Sequence, residues 1–445
     1  CFQIESPGMR ATLKEIHARS VEDVIRALAL YRPGPLKGGL RDAFVRRHNG
    51  QEAVTHLHPA LERLLEETYG VILYQEQVLR IAHDLAGLSL ADADLLRRAM
   101  SHFDPGQQMQ ALKARFITAA IEHSAMPAEA AEKVWGLLAA FAGYGFPKAH
   151  AASYALVAWR SAWCKAHFPA EFLAAVLANW GGYYSQRVYL SEARRLGLPV
   201  RPPHVNHSQP QFSVAYPQGE AVLFMGLDQV RELTRRTQAR ILQQRPFHSW
   251  DDFLARADPR PLEAENLIRV GALAGLGTIP YLLKRLEHTA GRPGQLPLFD
   301  WAPDVALLSA EDDWSLGEKV AAQEMLLGVS VDAHPLELCA AAIAASGAVT
   351  TIEAASRIGQ PVRVAGVRQS WHRNRTARGE MMAFLTLEDL EGTLDVVVFP
   401  SVYQHARNEL SVSGPLLVEG VVEMDENRAE PLLRAEKVWR LPTTA

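Results

Sequence analysis

Cysteine is scarce in this chain: three residues in 445, at Cys1, Cys164 and Cys339. An odd number of widely separated thiols supports neither a disulfide framework nor a thiolate zinc site, and a reducing cytoplasm is the expected setting. Long apolar runs are missing as well. The stretch 149–180 comes nearest to a membrane span, but Arg160, Lys165, His167 and Glu171 interrupt it, so no membrane partner is expected. No secretory or transit signal opens the sequence. Nor is there an excess of positive charge. Lys and Arg number 46 against 50 Asp and Glu, a net charge of -4. That excludes a uniformly basic nucleic-acid binder and leaves local basic patches to be found one by one. Apolar material is plentiful, at 48% of residues. At this length it can build cores for about two to four domains. The opening Cys1-Phe2-Gln3-Ile4, without Met, reads as a fragment of something larger.

Up to about Trp180 the pattern is mostly helical. Tyr74, Val78, Ile81 and Leu85 recur at helical spacing, with Ser89 or Asp92 as a cap for the helix that carries Leu95-Leu96-Arg97-Arg98. A long Ala- and Leu-rich helix follows Pro147, and Pro169 opens another. Between Gly197 and Ser208 three prolines forbid a continuous helix, which suggests a domain boundary. Short glycine-punctuated helices fill 225–283. Thr289-Ala290-Gly291-Arg292-Pro293-Gly294 has linker composition, and a helical segment runs from about Trp314 to Ser346. The tail alternates apolar and polar residues at 362–367, 383–387, 394–399 and 416–422. About five short strands with one helix near 401–410 fit a small antiparallel barrel of the OB type.

Candidate chemistry concentrates in the first part. Paired Arg97 and Arg98 offer forked donors for phosphate oxygens. Lys148 stands just before a helix start, where free amides also favour anions. His150 and Tyr154 are four apart and share a face. On spacing alone, a solvated helix face accounts for the arginines and ordinary packing for His150. Asp92 and Asp94 read as a cap or turn, as do Asp251 and Asp252, so no metal-binding residues are assigned.

Five strings, in order, carry a resemblance. They are Phe2-Gln3-Ile4-Glu5-Ser6 with Gly8-Met9, and Tyr31-Arg32-Pro33-Gly34-Pro35-Leu36. Then come Tyr69-Gly70-Val71-Ile72-Leu73-Tyr74-Gln75-Glu76-Gln77 and Ala93-Asp94-Leu95-Leu96-Arg97-Arg98-Ala99-Met100. The last is Gly143-Tyr144-Gly145-Phe146-Pro147-Lys148-Ala149-His150-Ala151-Ala152-Ser153-Tyr154. Together they resemble the alpha subunit of bacterial DNA polymerase III, the C-family polymerases. The resemblance implies a nucleotide site at Arg97, Arg98, Lys148, His150, Tyr154 and Arg32. It also implies Mg2+ in the parent enzyme, held by palm aspartates upstream of the first string, so no catalytic residue is expected in this chain. Ser101-His102-Phe103-Asp104-Pro105 and Pro147 depart from the usual replicative pattern and point to a divergent or error-prone branch.

Further along, Phe224-Met225-Gly226-Leu227-Asp228-Gln229-Val230 and Leu267-Ile268-Arg269-Val270-Gly271-Ala272-Leu273 resemble the family's paired helix-hairpin-helix region. Glycine is sparse in the first turn, where Arg235 and Arg236 are the candidate DNA contacts; a structural helical module fits this segment equally well. Gln295, Leu296, Leu298 and Phe299 belong to a pentapeptide similar to the sliding-clamp motif, with apolar anchors and a polar register residue. In the barrel, Arg363, Arg368, Arg373, Arg375 and Arg378 interleave with Trp371, His372 and Phe384, the mixture that single-stranded DNA binding uses.

The expected architecture is multidomain α+β: mainly helical fingers, a tandem helix-hairpin-helix region and a terminal OB-type barrel. The expected spans are 1–60 for the end of the palm and the approach to the fingers, 61–202 for the fingers and 203–288 for the hairpins. A linker with the clamp motif and a helical segment takes 289–350, and the barrel 351–445. The expected function is a share of template-directed DNA synthesis, with dNTP, primer-template DNA, single-stranded template, the sliding clamp and other replisome subunits as partners. A non-catalytic DNA-binding accessory protein and a translesion polymerase are the alternatives.

Overall fold

The computed structural model describes residues 1–31, 39–101, 107–141, 146–289, 313–376, 378–412, 414–425 and 430–442. The chain divides into two compact units, Cys1–Cys164 and Lys165–Ala445.

The first unit is helical: α1 (Pro7–Glu15), α2 (Val21–Leu30), α3 (Leu40–His48), α4 (Pro59–Leu65), α5 (Gln75–Arg80), α6 (Leu90–Ser101), α7 (Gln107–Ser124), α8 (Ala128–Ala140) and α9 (Lys148–His167). Local chemistry sets several starts. Ser20 and Asp23 exchange hydrogen bonds at the head of α2, at 3.2 and 3.1 Å, a reciprocal cap. Ser89 caps α6 by accepting from the Asp92 amide at 3.2 Å. The apolar series Tyr74, Val78, Ile81 and Leu85 is buried. Its second half, Ile81–Leu85, is a π-helical turn rather than a continuation of α5. Two cores form. One gathers Ile16, Leu30, Phe44, Leu73 and Tyr74 against Ala151, Ala155 and Ala158 of α9. These three alanines are fully buried, and their small side chains let α9 lie close to its neighbours. The other packs Leu61, Ile81 and Leu85 on Phe116, Trp135 and Leu138.

The second unit starts with α10 (Pro169–Ala178) and α11 (Gln186–Arg195), then a three-stranded sheet. Its strands are β1 (Val200–Arg201), β2 (Ser213–Ala215) and β3 (Val222–Phe224), in the order β1-β3-β2. Four helices come next: α12 (Arg235–Gln244), α13 (Trp250–Ala257), α14 (Pro261–Arg269) and α15 (Ile279–Thr289). Then come α16 (Leu316–Leu327), α17 (Ala340–Ser346) and α18 (Thr351–Ala355). The helical segment expected over 314–346 is therefore split; Gly328, at φ 77, ends α16. One core runs from Ala170 and Leu173 through Val205, Leu223, Phe253 and Leu267 to Leu327 and Val331. The proline-rich 197–208 segment thus lies inside a continuous core, and α10 and α11 pack with the sheet and helices on its C-terminal side.

The tail forms β4 (Pro361–Arg375), β5 (Met381–Glu388), β6 (Thr393–Val398), α19 (Pro400–Ser411), β7 (Pro415–Asp425) and β8 (Glu430–Arg440). The strands close as β4-β5-β6-β8-β7. All pairings are antiparallel except β6 with β8. Val364, Leu385, Leu387, Val396, Val418 and Leu433 fill the interior. A five-stranded closed barrel with its helix between the third and fourth strands is the OB arrangement. Gly420 is required at the β7–β8 irregularity, because a β-carbon there would collide with the Arg434 carbonyl.

Candidate nucleotide and nucleic-acid sites

In the first unit the segment Tyr74–Gln77 is the organising element. Tyr74 pairs with Phe146 as an isolated parallel bridge, and the Gln75 amide donates to the Phe146 carbonyl at 3.0 Å. The string 69–77 and the described part of the last string, 146–154, therefore meet at this bridge. Arg97 joins them from α6: its Nη1 donates to Gln75 Oε1 at 3.1 Å and its Nε to Asp94 Oδ1 at 2.9 Å. Arg98 is exposed and donates to the other Asp94 oxygen at 2.7 Å. Lys148 opens α9. Its amide donates to both Glu76 oxygens at 3.0 Å, its ammonium reaches the Glu67 carboxylate, and that ammonium lies 5.6 Å from the centre of the Tyr74 ring. An aromatic row continues along α9. Ring centres are 5.3 Å apart for Phe146 and His150, 4.1 Å for His150 and Tyr154, and 5.3 Å for Tyr154 and Phe2.

The structure thus brings Arg97, Lys148, His150 and Tyr154 around one patch, with Arg98 attached through Asp94. Arg32 lies outside the described residues. The patch is rich in cations but internally neutralised. The hydrogen bond from Arg97, with the charge of Arg97 and then Arg98 adding to it, holds the Asp94 carboxyl below its usual range. Burial, with the Glu67 charge adding to it, pushes the Tyr74 hydroxyl upward and keeps it protonated. Gln75, Glu76 and Glu67 were not singled out from sequence. Glu76 caps a helix that begins 72 residues later, and no local spacing signals such a cap.

The acidic pairs are all engaged by the chain's own donors and cations. Asp92 bonds Ser89 at 2.7 Å and Arg115 at 2.7 Å. Asp251 pairs with Arg285 at 2.7 Å, and Asp252 with Arg256. Among the described residues no group of three or more His, Cys, Asp or Glu is placed to hold a metal ion. These donor sets do not fit Mg2+, and no step is assigned to the ion on this chain.

The hairpin region in the second unit is held together by Glu263, which is 2% exposed. Its carboxylate accepts from the Thr234 amide at 2.8 Å, the Thr237 hydroxyl at 2.8 Å and the Arg260 amide at 2.7 Å. Burial alone would raise its pKa; these hydrogen bonds outweigh that and hold it low. One buried carboxylate therefore ties the head of α12 to the head of α14. Arg236 and Arg240 both pair with Asp258. Arg236 is thus part of an internal bracket. Arg235 is exposed and has no hydrogen-bonding or ionic partner among the described residues.

On the barrel, strand alternation separates the candidate residues. Trp371 pairs across with Leu385, Arg373 with Ala383 and Arg375 with Met381, while His372 pairs with Phe384 on the opposite face. Trp371 packs against the barrel core, and the guanidinium groups of Arg368 and Arg373 lie 4.9 and 5.4 Å from its ring centre. Arg368 also donates to the Leu410 carbonyl near the end of α19, and burial depresses its pKa. Arg368 and Trp371 therefore close the barrel end. The outward face carries His372 stacked on Phe384, with ring centres 5.3 Å apart and an interplanar angle of 14°. Beside them Ser370 donates to Thr386 at 3.2 Å, and Thr386 to Asp395 at 2.7 Å. His372, one of the aromatic side chains interleaved with the arginines in the sequence, belongs to this face. Arg373, Arg375 and Arg378 are exposed toward the β4–β5 turn. Gln295, Leu296, Leu298 and Phe299 lie outside the described residues.

A helical cation patch, a hairpin region and an OB barrel in one chain define a protein built to handle nucleic acid. Comparison with known families agrees element by element. Residues 1–124 match the finger domain of the bacterial DNA polymerase III alpha subunit, residues 197–279 a helix-hairpin-helix motif, and residues 362–441 an OB-fold nucleic acid binding domain. The DNA polymerase III subunit alpha of Thermus aquaticus is 38% identical over 472 residues, covering 99% of this chain and 37% of that protein. The error-prone DNA polymerase of Corynebacterium efficiens is 36% identical over 427 residues, covering 95% and 39%. The chain belongs to the family of bacterial DNA polymerase III alpha subunits and their error-prone relatives. It spans about two fifths of the length of the relatives it matches.

Proposed function

We propose that this chain is the part of a bacterial DNA-directed DNA polymerase that selects the incoming nucleotide and holds DNA. The observation that carries the reading is the convergence of Arg97, Lys148, His150 and Tyr154 on the Tyr74–Gln77 segment. Cations set around a helix start are the means by which a protein meets a triphosphate. In this reading Arg97 and Lys148 contact phosphate oxygens, with Arg98 and Arg32 adding charge. The His150–Tyr154 row lies against the base or the primer end. The transfer step and its Mg2+ belong to carboxylates outside this chain. The hairpin region holds primer-template duplex. The His372–Phe384 face and Arg373, Arg375 and Arg378 guide single-stranded template. Gln295, Leu296, Leu298 and Phe299 tether the protein to a sliding clamp among other replisome subunits in the cytoplasm. No helix among the described residues is long and apolar enough to cross a membrane. Replicative and error-prone relatives match almost equally, at 38% and 36% identity, so the proposal is of their shared activity.

The test is single-turnover dNTP addition by the polymerase that contains this chain. Arg97→Ala and Lys148→Ala should each weaken apparent dNTP binding by about ten-fold, the worth of one charge-assisted hydrogen bond. Unchanged nucleotide dependence in both variants refutes the assignment.

A further inference from the structure

The two hairpin turns differ in the residues they present. In the first, Val230-Arg231-Glu232-Leu233 leads to Thr234 and α12. Glu232 is exposed and stands at φ 62, in the left-handed region. Glycine takes that conformation without steric cost and glutamate does not. The backbone path that suits glycine therefore persists here with a carboxylate upon it. The neighbouring amides are engaged: Leu233 donates to the Val230 carbonyl at 3.2 Å and Thr234 to Glu263 at 2.8 Å.

The second turn, 270–278 between α14 and α15, contains no acidic residue. Gly275 stands at φ 85, and nothing lies within 4 Å of where its β-carbon would be. The amides of Gly275 and Gly277 donate to no acceptor among the described residues. A phosphate approaching the second turn meets open backbone. One approaching the first meets the exposed Glu232 carboxylate on the backbone path, next to the exposed Arg231, and amides already bonded.

We propose that Glu232 is a specificity-determining residue whose carboxylate bars a DNA backbone phosphate from the first hairpin turn, leaving the second turn to make the hairpin contact with duplex. The inference rests on the reading of the hairpin region as duplex-binding. A carboxylate about 5 Å from a phosphate in a water-like medium weakens binding about four-fold.

The experiment measures binding of a fluorescein-labelled DNA duplex to the 445-residue chain by anisotropy across a salt series. Glu232→Gln removes the charge and keeps the β-carbon; it should tighten binding about four-fold at low salt. Glu232→Gly also removes the strain. It should tighten binding at least as much and raise Tm. Gly275→Glu should weaken binding. If Gly275→Glu weakens binding while both Glu232 variants bind like the parent, the role of Glu232 is overturned and the duplex reading stands. If the parent and all variants show no salt-dependent duplex binding, the duplex reading fails and Glu232 falls with it. Weaker binding in both Glu232 variants, with the fold intact by circular dichroism, also overturns the inference.

Discussion

His334 offers the sharpest quantitative test of the second unit. It is 1% exposed and lies between α16 and the barrel. The Leu336 amide donates to Nδ1 at 3.2 Å, so the ring's own proton sits on Nε2, which is buried without a partner. Burial comes first among the causes, and the Arg194 and Arg187 charges of α11 add to it. Glu324 on α16 and Asp389 at the barrel oppose it more weakly. The balance brings the pKa from 6.5 down to about 4. The unfolded chain therefore binds a proton between these values that the folded chain refuses. Stability from this residue is fully present above pH 6.5, falls as pH drops toward 4, and is flat below. At about 1.4 kcal/mol per unit, the loss is about 3 kcal/mol. His334→Asn keeps an acceptor for Leu336 and removes the titration. Urea unfolding of the 445-residue chain at about pH 7.5 and about pH 4.5 should show the parent losing about 2–3 kcal/mol more than the variant. Glu388, which burial pushes the opposite way, titrates in both proteins and cancels in the difference. Equal losses in parent and variant refute the placement of a neutral, desolvated imidazole at this position.

Three further outcomes are expected. Glu67→Gln removes the internal partner of Lys148 and should lower the apparent dNTP KM a few-fold in single-turnover kinetics; a higher KM contradicts competition between Glu67 and phosphate. Trp371→Ala should cost about 2–4 kcal/mol of barrel stability in thermal melts, whereas Phe384→Ala should reduce single-stranded DNA affinity about five-fold or more in anisotropy titrations. The opposite ranking of the two would return Trp371 to the stacking surface. Replacing Leu298 and Phe299 by Ala should abolish binding to an immobilised sliding clamp, and an unchanged affinity removes the pentapeptide from the assignment.

Much of the fold was legible because its signals are local. Alternation at 362–367, 383–387 and 394–399 marks β4, β5 and β6. Pro169 and the run after Pro147 mark α10 and α9. The π-turn at Ile81–Leu85 was hidden, since buried apolar residues at near-helical spacing suit either winding. The 197–208 segment carries three prolines that suggest a domain boundary, yet Leu198 and Val205 are buried in a core shared with Leu173 and Leu223. Composition reports backbone restriction by proline, not where the neighbouring side chains are buried. In the barrel the residue types were readable, but their sharing out between two faces depended on register, which the bulge between Arg368 and Ser370 resets.

The same limit explains the anion sites. Sequence located the cations and the helix starts that favour phosphate, because those are properties of single residues and short spacings. It did not locate the carboxylates that fill them. Glu76 closes the start of α9, Glu263 the start of α12, and Asp313 accepts from the Ile279 amide at 3.0 Å at the start of α15. Each is distant in sequence from the amide it serves. The functional consequence differs with burial. Glu263 is enclosed and bonded three times, so its displacement would strand a charge in the interior. Its end of the hairpin is permanently closed. Glu67 is 43% exposed and makes one ion pair, so an incoming triphosphate can displace it into water at little cost. On the proposed reading, nucleotide binding at the finger patch is an exchange of one anion for another. Its strength would then follow from how poorly Glu67 and Asp94 hold the cations they pair with.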